Sequence, residues 1–374
     1  MVKLLPLSAM ALVSFSLALS SCYRVPNQAW TQTHAPLQVA NHQSKYMILE
    51  VDENGPIFNM DQYQGMKQWL NKDSPDTPVI IFINGWHHNA QSDDSNLLDF
   101  KKFLGAIEVA SAGNPLAGIY IGWRGDSYDT LLNFEASDFL TIWGRKNAAE
   151  TVGKHGLNEI LTYLKDNHPD RRVFVIGHSL GGAALFNAIK TTLPKEANDG
   201  FEYILLNPAV SEKELRRVEQ QYQKLQSFQL EASSLATTQL ALARAHRKIT
   251  VLQALGDKPV GFLYRIAYLS TPIGFDKKRT THKAYTCENA NDCTWKKEAD
   301  CYVALANGKF IIEASPSKGE TCLDKNLKPV WVISGADSVS ANHNDILNSV
   351  QAAALADLIG QRIQWTSAPS ATQR

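Results

Sequence analysis

Arg171-Arg172-Val173-Phe174-Val175-Ile176-Gly177-His178-Ser179-Leu180-Gly181-Gly182, running on into Ala183-Ala184-Leu185-Phe186-Asn187-Ala188-Ile189, is the stretch whose reading decides the fold. A β-branched and aromatic run of strand length meets Gly-x-Ser-x-Gly, and a segment of helical spacing follows at once. The pattern predicts strand, sharp turn, helix. Such a turn holds its central residue in a strained backbone conformation, so the positions two residues away must be small or the strand and helix collide. Gly177 and Gly181 meet that need. The turn lifts the Ser179 hydroxyl clear of the sheet, and the Leu180 N–H, at the helix N-terminus, points to where an oxyanion would form.

With those residues in place the chain resembles the α/β-hydrolase superfamily, and Gly177-His178-Ser179-Leu180-Gly181-Gly182 is similar to the nucleophile elbow of its lipases and esterases. The resemblance extends from about Lys45 to the C-terminus. It implies an α/β fold with a doubly wound, mostly parallel sheet, a serine nucleophile, and a chain order of nucleophile, acid, histidine.

Working outward, the flanking segments alternate as such a sheet requires. Residues 45–51, 78–85, 118–123, 201–208, 248–255 and 329–334 read as strands. Several are apolar throughout, as suits a strand buried on both faces. Helical spacing covers 61–71, 94–110, 135–168 and the segment after 340. Two segments break the alternation. Residues 211–247 form a long polar helical insertion, with Leu215, Val218, Tyr222 and Leu225 three and four apart, equally suited to a cap or a surface hairpin. Residues 277–327 hold Cys287, Cys293, Cys301 and Cys322, and their Lys and Asn content suits an exposed, disulfide-stapled excursion. The favoured pairing is Cys287–Cys293 with Cys301–Cys322, the latter closing a hairpin-like segment around Ala306-Asn307-Gly308. A zinc site would need Cys-x-x-Cys spacing, which is missing.

A serine at its free pKa is a poor nucleophile and needs a base, which in turn needs an acid to hold its tautomer. His343 is the expected base, being the only histidine after the final strand. Asp257 is the expected acid, two residues beyond the 249–255 strand, with Asp126, Asp337 and Asp345 as rivals. The second oxyanion donor should come from the loop after the 78–83 strand, Asn84-Gly85-Trp86-His87-His88-Asn89. Gly85 allows close approach, and the Trp86 N–H is the candidate. The loop lacks a His-Gly-Gly-Gly run and is closer to a lipase-type hole, by analogy. His87-His88 read as a polar rim, since adjacent side chains rarely converge on one metal ion.

The start of the chain bears on location. Met1-Val2-Lys3 carries one positive charge and Leu4–Leu19 is almost wholly apolar, too short for a spanning helix and ending in small residues, as a signal peptide over 1–21 would. Leu19-Ser20-Ser21-Cys22 resembles a bacterial lipobox, which implies cleavage before Cys22, its lipidation, and an envelope location. Residues 22–44 then read as a tether and 45–374 as one domain. The 374 residues carry a formal net charge of zero, which lends nothing to nucleic-acid binding. The expectation is a lipid-anchored serine hydrolase that acts on a lipid or small-molecule ester and uses no cofactor or metal. A thioesterase or amidase would use the same residues, and a non-catalytic binding lipoprotein is the alternative from another class.

Overall fold

The apolar runs form the centre of the molecule because their side chains are buried on both faces. In β4 (Val79–Ile83), Val79, Ile81 and Ile83 enter one core and Ile80 and Phe82 the other. The structure, a computed structural model, describes residues 22–126, 128–130, 135–192, 200–230, 249–254, 272–273, 282–287, 301–306, 309–314, 330–334, 347 and 349–367.

The main sheet has eleven strands in the order β12 (Lys309–Ala314), β11 (Cys301–Ala306), β10 (His282–Cys287), β13 (Val330–Ser334), β9 (Ile249–Gln253), β8 (Phe201–Leu206), β7 (Val173–His178), β4, β5 (Ala117–Gly122), β3 (Lys45–Glu50) and β2 (Leu37–Gln38). Every pairing from β11 to β3 is parallel. Only the edge pairs β11–β12 and β2–β3 are antiparallel. Elbow strand β7 lies between β4 and β8.

Helices cover both faces. Residues of α1 (Met60–Lys72), α3 (Glu135–Val152), α4 (Asn158–Asn167), α5 (Leu180–Thr192) and α6 (Glu212–Leu230) share one core with the inner sheet residues. On the other face α2 (Ser95–Ala110) and α7 (Ser349–Ser367) pack together over Ile80, Phe82, Phe174 and Trp331. A π-helical turn, Gly153–Leu157, joins α3 to α4 within the predicted 135–168 helical region. The molecule is thus the doubly wound α/β architecture that the elbow implies.

The two interruptions fare differently. Leu215 and Val218, at the start of the helical insertion, enter the core under α6, and 231–248 lie outside the described residues. The cysteine-bearing stretch contributes three strands, β10 to β12, to one edge of the sheet. Its Ala306↔Lys309 register makes the β11–β12 hairpin around 307–308. The cysteine side chains of the expected bridges lie outside what the structure describes.

In the segment read as a tether, residues 25–38 follow the side of β3 from its C-terminal to its N-terminal end. The Arg124 Nη1 donates to Val25 O at 2.6 Å, and Asn27 Nδ2 to Asp52 Oδ1 at 3.1 Å. The Trp30 and Thr31 amides donate to the Glu50 carboxylate at 2.6 and 2.9 Å, and β2 pairs with the start of β3. A separate two-stranded ribbon joins β1 (Cys22–Arg24) antiparallel to β6 (Tyr128–Thr130). The signal segment, 1–21, lies outside the described residues, among which no helix is long and apolar enough to cross a membrane.

Candidate active site

Ser179 sits at φ +53°, the left-handed conformation demanded of a nucleophile elbow. Such a non-glycine conformation costs on the order of 1–3 kcal/mol and persists only where surrounding contacts impose it. Here they do. The Ser179 N–H donates to Leu206 O of β8 at 3.0 Å, and its carbonyl accepts from Ala183 and Ala209 at 3.2 and 3.0 Å. A Cβ on Gly177 would lie 2.6 Å from Gly181 O, and one on Gly181 only 2.4 Å from Asn84 O. The second contact packs the elbow against the end of β4.

The loop after β4 is held by Asn84, which is wholly buried. Its Nδ2 donates to His88 O at 2.8 Å and to Gly85 O at 3.1 Å, and its Oδ1 accepts from the Trp123 amide at 3.0 Å. The Trp123 indole returns a bond to Asn84 O at 2.8 Å. One side chain therefore stitches this loop to the end of β5. The Gly85 N–H is directed to Asn96 Oδ1, at the long distance of 3.5 Å. A Cβ on Gly85 would come 2.6 Å from His178 Nδ1, so the loop starts hard against the elbow. The next amide, Trp86 N–H, has no acceptor among the described residues, and neither has Leu180 N–H at the start of α5. Buried donors without partners are rare in folded proteins. Those two amides are the ones assigned to the oxyanion from the sequence.

The adjacent histidines diverge. His87, at φ +65°, stacks on Trp86 with 4.6 Å between ring centroids, and its Nδ1 lies 2.8 Å from Asp126 Oδ1. His88 Nδ1 lies 3.4 Å from Asp94 Oδ2. Asp94 also caps α2 through the Asn96 and Leu97 amides. Asp126, one of the acids considered for the triad, is therefore bonded to His87 on the loop after β4. Among the described residues no three His, Cys, Asp or Glu side chains gather as metal ligands.

Asp257 and His343 lie outside the described residues, as do Asp337 and Asp345. Their preceding strands are in place. β9 and β13 run parallel to β7 and end on the edge of the sheet where Ser179 lies. Cys22 is in β1, opposite Thr130.

Two features of this edge escape a sequence reading. Asn207, at φ +42°, ties the exit of β8 to that of β9: its N–H donates to Leu252 O at 2.9 Å and its Oδ1 accepts from the Ala254 amide at 2.9 Å. The path of the chain toward Asp257 is thus braced from the strand beside the elbow. The only signal was an Asn, which tolerates left-handed backbone, at a strand end. The second is a buried charge cluster. Arg124 clasps Glu53 through both Nε and Nη2, and Arg145 Nη1 approaches Glu53 Oε2 at 2.6 Å and Arg124 O at 3.1 Å. Burial opposes ionisation of Glu53, but bonds from the two arginines and their charges outweigh it, so its pKa is lowered. In the sequence, Glu53-Asn54-Gly55 signals only a turn.

A family model described as "Alpha/beta hydrolase of unknown function (DUF900)" matches residues 62–266. Among solved structures, a lipase-esterase related protein from Clostridium acetobutylicum ATCC 824 aligns at 12% identity over 79% of this chain and 95% of that one, with a TM-score of 0.25. No curated protein matches the chain.

Proposed function

The chain belongs to this family of α/β hydrolases, and from that premise we propose that it is a serine hydrolase that cleaves carboxylic esters. The observation that carries the proposal is Ser179 at φ +53° beside two buried amides, Trp86 and Leu180, with no acceptor among the described residues. Backbone donors fixed before the reaction stabilise charge that develops only in the transition state, which is where such donors accelerate acyl transfer.

In the proposed cycle His343 takes the proton as Ser179 Oγ adds to the ester carbonyl, and Asp257 holds the imidazole and its developing charge. The carbonyl oxygen becomes an oxyanion between the Trp86 and Leu180 amides. Collapse breaks the ester C–O bond, and the alcohol leaves with the proton from His343. Water then adds to the acyl-enzyme by the same steps, releasing the carboxylic acid and restoring Ser179. No cofactor is assigned a role.

We also propose that Cys22 is lipidated after loss of residues 1–21, which would place the enzyme on a bacterial envelope membrane with its domain outside the cytoplasm. p-Nitrophenyl esters of increasing acyl length test the chemistry. Ser179→Ala and His343→Ala are each expected to lower kcat/KM by at least about a thousandfold, with circular dichroism unchanged. Near wild-type rates in either variant contradict the proposed triad.

A further inference from the structure

The opening residues of the mature chain are docked to the catalytic edge rather than projecting from it. Cys22–Arg24 form β1, paired residue by residue with Thr130, Asp129 and Tyr128 of β6. Immediately afterwards Val25 O accepts a hydrogen bond from Arg124, itself clasped to Glu53. Asn27 then bonds Asp52, and the Trp30 and Thr31 amides cap the Glu50 carboxylate. All these partners lie at or beyond the C-terminal ends of β3 and β5. That is the edge on which Ser179 opens, because β5, β4 and β7 are parallel neighbours.

The distances are short. Three extended residues from Cys22 to Val25 span about 10 Å, and the two strand spacings between β5 and β7 add about 10 Å more. A free, flexible segment of the same length as 22–44 would instead hold the domain at an average of roughly 25 Å in any orientation. The chain that pairs with β1 also carries Asp126, two residues before Tyr128, which holds His87 on the loop of the proposed oxyanion donor. On the same side of the molecule, Trp143 of α3 is 39% exposed two residues from Arg145 of the buried cluster. Tryptophan is favoured at the boundary between water and lipid.

We propose that the docked arm 22–31 holds the Ser179 edge of the sheet against the membrane that anchors Cys22, so that the substrate is an acyl lipid drawn from that bilayer. This rests on the serine-hydrolase and lipidation readings above. An anchor fixed at the catalytic rim sets orientation as well as distance, and it delivers an ester that never has to cross water.

The experiment uses the full lipoprotein reconstituted in phosphatidylethanolamine–phosphatidylglycerol vesicles, beside a variant with a twenty-residue Gly-Ser spacer inserted between Cys22 and Tyr23. The spacer leaves the lipid attached but frees the anchor from the arm. Three quantities are measured: p-nitrophenyl butyrate hydrolysis, fatty acid released from the vesicles, and palmitate incorporated at Cys22. The expected result is butyrate hydrolysis within twofold of the parent and at least a fivefold loss of vesicle lipid hydrolysis. Equal lipid hydrolysis by both proteins overturns the orienting role. Butyrate cleavage without any lipid cleavage by the parent overturns the substrate class while leaving the triad standing. Absence of palmitate at Cys22 removes the anchor and the inference with it. Should the parent cleave neither ester, the hydrolase reading itself falls, and this inference falls with it. Trp143→Ser in the parent provides a check that leaves β1 intact: reduced vesicle hydrolysis at constant butyrate rate supports contact of this edge with lipid, and no change counts against it.

Discussion

At the scale of single residues the elbow leaves almost no freedom. Gly181 is pressed against Asn84 O and Ile83 O, both backbone atoms at the end of a buried strand, and an added Cβ would come within 2.5 Å of each. Neither atom can yield without moving β4. Gly181→Ala is therefore expected to cost roughly 1–3 kcal/mol of stability, as overpacking does, and to lower the unfolding midpoint by several degrees. It should also reduce ester hydrolysis at least tenfold, because the strand end that moves carries the Trp86 loop. Differential scanning calorimetry and the p-nitrophenyl assay measure the two effects; an unchanged midpoint would show that the close packing of elbow on strand is misassigned. This part of the site was legible in the sequence because it is local. Glycine, serine and glycine at fixed spacing encode a conformation that needs no knowledge of the distant chain. Asn207 shows the opposite case, since its role exists only once β8 and β9 lie side by side.

At the scale of elements, the buried cluster decides how β3, β5 and α3 are joined at the edge of the sheet that carries Ser179. Glu53 faces two arginines, Arg124 and Arg145, whose side chains are 4% and 8% exposed. Removing the one carboxylate leaves two buried cations, and loss of a partner from a buried pair costs about 3–5 kcal/mol. Glu53→Gln should fall toward the lower end of that range, since glutamine still accepts one bond. Chemical denaturation with an unchanged m-value is the measurement. The pH dependence follows with its sign. Glu53, Glu108 and Glu214 all have pKa values lowered below the usual carboxylate value: burial works against ionisation in each, and hydrogen bonds and neighbouring cations overcome it. Their contribution to stability is fully present above the unfolded value near 4.5 and is lost as pH falls through the lowered folded values. Glu50 has the reverse sign. Burial raises its pKa despite the Trp30, Thr31 and Gln62 bonds, so it favours folding at low pH and opposes it as pH rises through its folded value. Three groups against one predict net acid destabilisation below about pH 4.5, and Glu53→Gln should flatten that slope. A midpoint independent of pH from 6 to 3 would contradict this. Apart from the local Ser211–Glu214 bonds, these pairings were not visible in the sequence, because they join residues far apart in the chain.

At the scale of the whole molecule, the layered α/β architecture could be anticipated because buried parallel strands announce themselves as continuous apolar runs. Strands β10 to β12 were not anticipated, although Tyr302-Val303-Ala304-Leu305 and Phe310-Ile311-Ile312 are apolar runs, because the polar, Lys- and Asn-bearing residues 288–300 between β10 and β11 make the whole cysteine stretch read as a loop. The arm along β3 was hidden for a similar reason: it is held by backbone amides on Glu50 and by a carbonyl on Arg124, groups that every residue type possesses. These additions do not alter the chemistry that the elbow proposes, but they put Ser179 on one edge of a wide sheet, with Cys22, the proposed site of lipidation, in a ribbon with β6 beyond the end of β5. The central claim is that Ser179 is an activated nucleophile, and reaction with a fluorophosphonate probe followed by peptide mapping tests it most directly. The account predicts stoichiometric modification of Ser179 in the folded protein and none after unfolding in urea or in His343→Ala. A folded wild-type protein that leaves Ser179 unlabelled would contradict it.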